Sequence, residues 1–410
     1  MSDDGLAVTG GEGGIEVAVD DLRRAAGRLR RSADAVSRVT PREVGVVLQA
    51  PMVPLVGLDW GLGQRVLGAP IDLEPLVGRC RRDLADLVAD VAGAVERLRE
   101  LGVTTDQAAA GYAAAEARAR GLVAGLHDQA MGLAWLVSET TGRAFGLLDE
   151  GDGWDVAVAP VDAQDCVPVP TSTDSLLAGI QSLGGEGTEG RVRVIEVLAM
   201  DGTTTWVVQI PGTHGGWFEG GEVPMDWPAN VSLMLGATSA SKVAVARALE
   251  QAQAGRAGPR DRVVLAGHSQ GGIVAAALAS DPSFTRAHRV THVVTAGSPI
   301  DDFPIPDSTE VLSLQHHTDP VHALDVSPPR DGRSWTTVEA AAPITVGGHL
   351  SLGAHALTAY RSTASRVDRS SDVSLQHWRS GLAPVLGVAP GAKPVVHEFR
   401  SERRWQNRDS

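Results

Sequence analysis

The feature that most constrains the fold is the segment RVVLAGHSQGGIVAAALA at residues 262–279. Its first part is a short apolar run typical of a buried strand, and its last part is a run of small apolar residues typical of a helix. Ser269 stands at the junction, between Gly267 and Gly271, in the pattern Gly-x-Ser-x-Gly. A serine on so sharp a turn is strained, and the two glycines let strand and helix approach each other. The segment therefore predicts a strand–turn–helix unit with Ser269 exposed at the end of the strand.

Strand-like and helix-like segments alternate on both sides of this unit. We predict strands at 191–199, 204–210, 262–266, 290–295 and 311–314, and helices at 239–254, 271–280 and 353–367. Strands that alternate with helices form a mostly parallel sheet covered on both faces. We therefore expect an α/β domain over residues 176–410.

The residues around Ser269 resemble those of the α/β-hydrolases, and locally those of lipase-like esterases, over approximately residues 190–370. The resemblance implies a mostly parallel sheet with flanking helices. It also implies that Ser269 is a nucleophile and that the backbone amide of Gln270 stabilises an oxyanion. In that family an acid and then a histidine follow the serine along the chain.

Asp319 is our candidate for the acid. It follows the predicted strand 311–314 in an Asp-Pro-Val sequence that resembles the acid turn of lipase-like enzymes. A carboxylate there would orient the histidine and stabilise its cation. The alternative is an aspartate that merely accepts backbone amides in a turn. The competing acids are Asp301, Asp302 and Asp325.

Two histidines, His349 and His355, are candidates for the base. His355 begins the last predicted helix and is followed by Tyr360, an arrangement similar to the base position of the family, so we choose it. His349 lies in a Gly-Gly turn and stays open as the alternative. Three further histidines lie close to the acid turn and are expected to be solvated or to line the pocket: His316, His317 and His322.

A second oxyanion donor is expected in the loop after the strand 204–210. The loop sequence Pro-Gly-Thr-His resembles the place where lipase-like enzymes carry a small polar donor, so Thr213 is the candidate and His214 the alternative. A glycine-rich turn without a catalytic part is the other interpretation. We expect substrate contacts from His268, His214 and Trp217. Residues 217–227 are predicted either to line or cover an acyl pocket or to be ordinary packing.

The first third of the chain has a different, helical pattern. Apolar residues at 15–36 and again at 84–101 follow heptad spacing, and Thr40-Pro41 is expected to end the first helix. Two such helices would pack as an antiparallel hairpin. We therefore expect a helical hairpin or bundle domain at 1–150, a linker at 151–175 and the hydrolase domain at 176–410.

The helical region also carries Tyr112-x-x-x-Glu116, with both side chains on one helix face. The region resembles the helical hairpins that type VII secretion exports in actinobacteria, whose second helix is followed by a Tyr-x-x-x-Asp/Glu signal. One departure is that Trp60-Gly61-Leu62 does not match the turn of that family. The resemblance implies a secretion or helical partner for residues 1–150 and a secreted or cell-envelope location, with a cytoplasmic location as the alternative.

Composition excludes several classes of function. The net charge of -14 argues against nucleic-acid binding, and no apolar run is long enough for a transmembrane segment. The acidic, glycine-rich amino terminus is not a conventional signal peptide. The two cysteines, Cys80 and Cys166, lack metal-ligand spacing, and whether they pair stays open. We expect no metal and no cofactor.

These residues together predict a serine hydrolase that cleaves a small-molecule or lipid ester. Ser269, His355 and Asp319 would act through an acyl-enzyme intermediate. The same residues serve acyltransferases and thioesterases, which remain alternatives. A further alternative is a secretion substrate or partner-binding protein whose hydrolase domain is a non-catalytic scaffold.

Overall fold

The computed structural model describes residues 5–12, 15–49, 78–79, 81–110, 150, 153–164, 167–185, 187–215, 220–234, 236–325, 327–342 and 350–405. The chain divides into two compact units. One is Ala18–Ala117, and the other combines Met1–Val17 with Arg118–Ser410.

One sheet forms the centre of the larger unit. Its strands among the described residues are β1 (Leu6–Gly10), β2 (Trp154–Val161), β3 (Arg191–Leu198), β4 (Thr204–Ile210), β5 (Arg262–His268), β6 (Val290–Ala296), β7 (Glu310–His316), β8 (Trp335–Ala340) and β9 (Val395–Trp405). They lie in the order β1-β8-β7-β6-β5-β4-β3-β9-β2.

The sheet has a parallel centre and antiparallel margins. Strands β4, β5, β6, β7 and β8 are parallel neighbours. At one margin β1 pairs antiparallel with β8, and at the other β3, β9 and β2 continue the sheet with antiparallel pairs. With helices on both faces, this is the α/β-hydrolase fold that the resemblance around Ser269 implies, and the mostly parallel sheet is the one that the alternating pattern predicts.

Helices cover both faces of the sheet. In the part of this unit that the structure describes, the α-helices are α3 (Thr173–Gln181), α4 (Trp227–Met234), α5 (Ala240–Gln253), α6 (Gln270–Ala279), α7 (Pro282–Ala287), α8 (Leu350–His355), α9 (Leu357–Val367) and α10 (Val373–Leu386). Alternate residues of β4 and β5 enter different apolar clusters. Trp206 and Leu265 pack with α4, α5 and α6, whereas Val207 and Val264 pack with α3, α9 and α10. Because β4 and β5 are buried on both faces, their sequences are nearly continuous apolar runs.

The segment expected to be a linker, 151–175, contains a strand and the first residues of a helix. Strand β2 pairs along its whole length with β9, and α3 begins at Thr173. Pro160 is tolerated because β2 is an edge strand, where an amide is free of the ladder. The sequence pattern did not indicate β2, because most of its side chains are not buried and its partner β9 lies at the far end of the chain.

The expectation that residues 1–150 are all helical is wrong for the amino-terminal strand. Leu6 pairs with Ala340, and the strand β1 is only five residues long. A strand this short, next to a glycine-rich run, shows no recognisable alternation of apolar and polar residues. Its partner β8 lies far along the chain, so the pairing has no local sequence signal either. The helical unit is therefore inserted, in chain order, after the first strand of the hydrolase sheet.

The last predicted helix, 353–367, is broken in two and is followed by α10. Ala356 has an extended backbone, with φ -61° and ψ 134°, and separates α8 from α9. The break leaves His355 as the last residue of α8. A helical sequence pattern did not reveal this interruption.

The smaller unit contains two long helices, α1 (Ile15–Gln49) and a helix at 81–110, which we call α2. Arg30 lies 2.7 Å from Asp106, and Arg99 lies 3.2 Å from Asp34, so the two helices run antiparallel as predicted. The expected stop at Pro41 is wrong: α1 continues to Gln49. Proline has a helical φ, so a helix can continue through it in spite of the lost hydrogen bond and the clash with the preceding turn.

The contact between α1 and α2 is made mainly by small residues. Ala26, Ala33 and Ala109 are fully buried, and a Cβ on Gly102 would lie 3.3 Å from the carbonyl oxygen of Ala26. Three residues of the expected heptad seams are instead exposed: Val36, Leu87 and Leu101. The seam is displaced because the helices approach through alanine and glycine rather than through leucine.

Several expectations fall outside the described residues. Tyr112 and Glu116, both cysteines and the segment around Trp60 are among them. Export, cysteine pairing and the boundary near residue 150 therefore stay predictions. No helix in the described part of the chain is both long enough and apolar enough to cross a membrane.

The carboxyl-terminal strand β9 is fixed to the sheet by a buried ion pair. Arg193 and Glu398 are fully buried side chains 2.7 Å apart. Arg193 also donates to the carbonyl oxygen of Gly179 at 2.8 Å, which ties the pair to α3. Loss of Glu398 would leave an uncompensated buried cation.

We predict that Glu398→Ala destabilises the chain by about 3–5 kcal/mol, because the guanidinium of Arg193 stays buried without its partner. Glu402→Ala, at an exposed position of the same strand, is the control and should change stability by less than about 0.5 kcal/mol. Urea unfolding measures both. Equal unfolding midpoints for the two variants would contradict the prediction.

Candidate active site

Ser269 lies on a strained turn between β5 and α6. Its φ is 52° and its ψ is -122°, and among the described residues it is the one non-glycine residue with a positive φ. Such a conformation costs about 1–3 kcal/mol and persists only where the surrounding structure imposes it. The Ser269 amide donates to the carbonyl oxygen of Ala296 at 2.9 Å, which holds the turn against the neighbouring strand β6.

The glycines around the serine are required by close backbone approach. A Cβ on Gly267 would lie 2.1 Å from the carbonyl carbon of Gly271. A Cβ on Gly271 would lie 2.2 Å from the carbonyl oxygen of Ile210, at the end of β4. Any side chain at either position would push the strand, the helix or the neighbouring loop away. The Gly-x-Ser-x-Gly pattern therefore has the steric role that the sequence predicted.

A continuous chain of hydrogen bonds joins the serine to a histidine and an aspartate. His355 Nε2 lies 3.0 Å from Ser269 Oγ, and His355 Nδ1 lies 2.8 Å from Asp319 Oδ2. Because a carboxylate only accepts, Nδ1 carries the proton and Nε2 is left to accept from the serine hydroxyl. The structure thus brings together the three residues predicted as nucleophile, base and acid. His349 lies outside the described residues.

Asp319 is buried and accepts several hydrogen bonds. Tyr360 donates its hydroxyl to Oδ2 at 2.7 Å, and the Val321 amide donates to Oδ1 at 2.9 Å. Burial alone would raise the pKa of Asp319, but the hydrogen bonds from His355, Tyr360 and Val321 outweigh it and hold this pKa below its ordinary value. Asp319 is therefore ionised at neutral pH.

Two further histidines fix the backbone around His355. His316 Nδ1 lies 2.8 Å from the carbonyl oxygen of Ala354, and His268 Nε2 lies 2.9 Å from that of His355. Each ring nitrogen must donate, because a carbonyl oxygen only accepts. Burial lowers the pKa of His268 to about 4 and lowers that of His316 as well, so both rings are neutral. They hold the peptide units on each side of the base without adding charge.

His316 differs from its expected position. We predicted a solvated or pocket-lining side chain, but it is fully buried and its ring is parallel to that of Tyr360, with centroids 3.9 Å apart. Thr363 lies 2.8 Å from its Nε2 and donates to it. His316 is the last residue of β7, and its side chain lies against Tyr360 and Thr363 of α9 instead of in solvent. His317, next in sequence, is the exposed one.

The loop after β4 passes directly against the serine. A Cβ on Gly212 would lie 3.3 Å from Ser269 Cβ, and Thr213 is the next residue of this loop. The His214 amide donates to the carbonyl oxygen of Met225 at 2.7 Å, so it is already engaged. Thr213 is therefore the better of the two candidates for the second oxyanion donor.

Gln270 is the first residue of α6. The first amides of a helix have no acceptor within that helix, so the Gln270 amide can meet an anion beside Ser269. Its side chain instead donates to the carbonyl oxygen of Asp226 at 3.0 Å. Trp217, predicted to contact substrate, lies outside the described residues.

The segment 217–227 is packing at its carboxyl end. Met225 is fully buried and belongs to the apolar cluster formed with α5 and α6. Asp226 is 2% exposed. These two residues are therefore packed in the interior.

The competing aspartates form a separate cluster and none of them bonds to His355. The Asp301 amide donates to Asp325 Oδ2 at 2.7 Å, and Gln315 Nε2 donates to Asp301 Oδ2 at 2.9 Å. Burial raises the pKa of Asp301 to about 7, and burial together with the charge of Asp301 raises that of Asp325 to about 8. Asp302 lies beside them and bonds to Ser327.

No group of three or more His, Cys, Asp or Glu side chains in the described residues is arranged to hold a metal ion. The family model of the PGAP1-like alpha/beta domain matches residues 229–372. Ser269, Asp319 and His355 all lie inside this match. The chain has a hydrolase-like fold. No curated protein and no solved structure matched it.

We predict that the pair Asp301 and Asp325 makes stability fall with rising pH. An unfolded aspartate titrates near pH 4, so between about pH 4 and 8 the unfolded state has lost protons that the folded state keeps. The stabilising contribution is complete below this window and is lost as the pH rises through the folded pKa values. Each group contributes a slope of about 1.4 kcal/mol per pH unit within its window.

Asp301→Asn removes one titration, so its melting temperature should fall less between pH 5 and pH 8.5 than that of the wild type. Asp307→Asn, at an exposed position, is the matched control and should keep the wild-type dependence. The same fall in Asp301→Asn as in the wild type would show that the pair does not hold its protons.

Proposed function

We propose that the chain is a serine hydrolase that cleaves carboxylic esters through an acyl-enzyme on Ser269. The observation that carries the proposal is the chain of hydrogen bonds from Ser269 Oγ through His355 to Asp319, with the serine on its strained turn. The lipase-like character of the matched fold supports ester substrates. The substrate is a small-molecule or lipid ester.

The first half-reaction forms the acyl-enzyme. Ser269 Oγ attacks the ester carbonyl carbon while its proton passes to His355 Nε2, 3.0 Å away. The carbonyl oxygen becomes negatively charged and is stabilised by the amides of Gln270 and Thr213. Asp319, held as an anion, stabilises the imidazolium. The bond to the leaving alcohol then breaks, and Nε2 gives its proton to that alcohol.

The second half-reaction releases the acid. A water molecule gives its proton to His355 Nε2 and attacks the acyl carbon, which forms a second tetrahedral oxyanion. The bond between this carbon and Ser269 Oγ breaks, the carboxylic acid leaves, and Nε2 returns the proton to the serine. The same enzyme would be an acyltransferase if an alcohol replaced the water.

Backbone contacts as well as side-chain hydrogen bonds fix the position of His355. His316 and His268 hold the carbonyl oxygens of Ala354 and His355, and both rings are neutral. A base that is fixed from both sides keeps Nε2 within reach of the serine, which is the geometric condition for proton transfer.

We expect a fluorophosphonate probe to label the wild-type chain and not Ser269→Ala. The reason is that the probe reacts with an activated serine and mimics the tetrahedral intermediate. His355→Ala should lower both labelling and p-nitrophenyl ester turnover by about 10⁴-fold or more, because the base is lost. His317→Ala is the matched control, since His317 is exposed, and should retain both.

A series of p-nitrophenyl esters of increasing chain length gives the acyl preference in the same assay, and thioester and alcohol-acceptor versions distinguish thioesterase and acyltransferase activity. A wild-type chain that is folded but neither labelled nor active on any of these esters would overturn the proposal. Equal labelling of wild type and Ser269→Ala would also overturn it.

A further inference from the structure

The helix that carries His355 is interrupted directly after it. Ala356 has an extended backbone, so α8 ends at His355 and α9 begins at Leu357. In an unbroken helix the Ala359 amide would donate to the carbonyl oxygen of His355, four residues earlier. It donates instead to the carbonyl oxygen of Ala356 at 2.9 Å. The break therefore leaves carbonyl oxygens at the end of α8 that need donors from elsewhere.

A side chain from β7 supplies one of these donors and also contacts α9. His316 Nδ1 donates to the carbonyl oxygen of Ala354 at 2.8 Å, and its Nε2 lies 2.8 Å from the Thr363 hydroxyl. Because Nδ1 carries the one proton of the neutral ring, Nε2 accepts and Thr363 donates. The His316 ring therefore joins the two helices on either side of the break.

This link between α8 and α9 is buried and tightly packed. His316 and Thr363 are fully buried and Ala354 is 2% exposed, so the two hydrogen bonds are shielded from solvent. The parallel contact with the ring of Tyr360, at 3.9 Å between centroids, holds the plane of the His316 ring. A buried carbonyl oxygen that loses its donor is costly, so loss of the link would favour a different arrangement of α8.

The peptide that His316 holds is next to the proposed base. Ala354 directly precedes His355, whose Nε2 lies 3.0 Å from Ser269 Oγ. Transfer of the serine proton requires a separation of this size. A displacement of about 1 Å in a reacting group can lower the rate by about 10²-fold. The arrangement of the backbone at the break therefore bears directly on the reaction.

We infer that His316 and Thr363 form a positioning pair that keeps the helix broken after His355 and so holds His355 in front of Ser269. The inference rests on the proposed function and extends it to a threonine that contacts none of the three proposed catalytic residues. Asp319 acts on the ring of His355, whereas the pair acts on the backbone from which that ring extends.

The test compares kcat, KM and the rate of fluorophosphonate labelling in full-length variants of the pair. Thr363→Val removes the hydroxyl and keeps the branched shape, and Thr363→Ser keeps the hydroxyl. His316→Asn keeps a donor near the position of Nδ1, because both nitrogens are bonded to Cγ. His316→Phe keeps the stacked ring without either hydrogen bond, and the double variant His316→Phe/Thr363→Val measures the coupling.

Thr205→Val is the matched control. Thr205 is a fully buried threonine on β4 whose hydroxyl has no hydrogen-bond partner among the described residues. It should behave as the wild type in every assay. Melting temperatures show that each variant is folded.

His316→Phe should lower kcat and the labelling rate by about 10²-fold with little change in KM, because the base and not the substrate is displaced. His316→Asn should retain more activity, since the carbonyl oxygen of Ala354 keeps its donor. Thr363→Val should lower kcat by about tenfold, the cost of one buried hydrogen bond, and Thr363→Ser should stay near the wild type. In the His316→Phe background Thr363→Val should have no further effect.

A spectroscopic signal separates positioning from folding. The proton that His355 Nδ1 donates to Asp319 gives a downfield proton NMR signal that is sensitive to the distance between the two groups. The signal should shift or broaden in His316→Phe and Thr363→Val and stay unchanged in Thr205→Val. A merely structural role would lower the melting temperature and leave this signal, and kcat per folded chain, unchanged.

The outcomes separate the inference from the proposed function. If the wild type is neither labelled nor active, the proposed function fails and the inference falls with it. If the wild type is active and both His316→Phe and Thr363→Val are within about threefold of it per folded chain, the function stands and the pair does not position the base. If His316→Phe does not fold, Thr363→Val against Thr363→Ser decides in the same way.

Two further results would overturn the pair while the function stands. Equal losses of kcat in His316→Asn and His316→Phe would show that the bond to Ala354 does not hold the base. A loss from Thr363→Val that is as large in the His316→Phe background as alone would show that Thr363 does not act through His316.

Discussion

The strained backbone at Ser269 is the constraint on which the rest of the site depends. A φ of 52° at a serine is unfavourable by itself, so the turn needs support from several sides. Support comes from the hydrogen bond that the Ser269 amide donates to Ala296 on β6. It also comes from the glycines that let α6 and β4 approach the turn. In return the turn lifts the serine hydroxyl above the sheet and places the amide of Gln270 at the same point. Strain at this position is thus part of the arrangement that presents Ser269 to His355, as the proposed nucleophilic role requires.

His355 is held by neutral side chains, whereas Asp319 accepts its hydrogen bonds as an anion. His268 and His316 contact the backbone on both sides of His355, and burial keeps them uncharged. Asp319, in contrast, accepts from Tyr360 and remains an anion. A positive charge on either supporting histidine would disfavour a second positive charge on His355, which the proposed mechanism requires. The negative charge beside His355 is therefore that of Asp319, which bonds to its Nδ1.

The centre of the fold and of the site could be predicted from the sequence, and the margins could not. The elbow around Ser269 and the strands β4 to β7 have local signals, because their residues are buried on both faces and their turns require glycine. Strands β1, β2 and β9 lack such signals, since they are short or partly exposed and pair across most of the chain. The contacts of His268 and His316 with the backbone around His355 join residues that are far apart in the chain, so no spacing in the sequence revealed them. The break at Ala356, which ends α8 at His355, was not visible in the sequence because the residues on both sides of it have a helical pattern.

We propose that Ser269 is the residue that becomes acylated. The most direct test uses a p-nitrophenyl dialkylcarbamate, which transfers its carbamoyl group to an activated serine and forms a carbamoyl-enzyme that hydrolyses slowly. We expect one equivalent of p-nitrophenol for each folded chain, a mass increase of one carbamoyl group, and its location on the peptide that contains Ser269. Release of p-nitrophenol with no adduct, or with the adduct on another residue, would contradict acylation of Ser269.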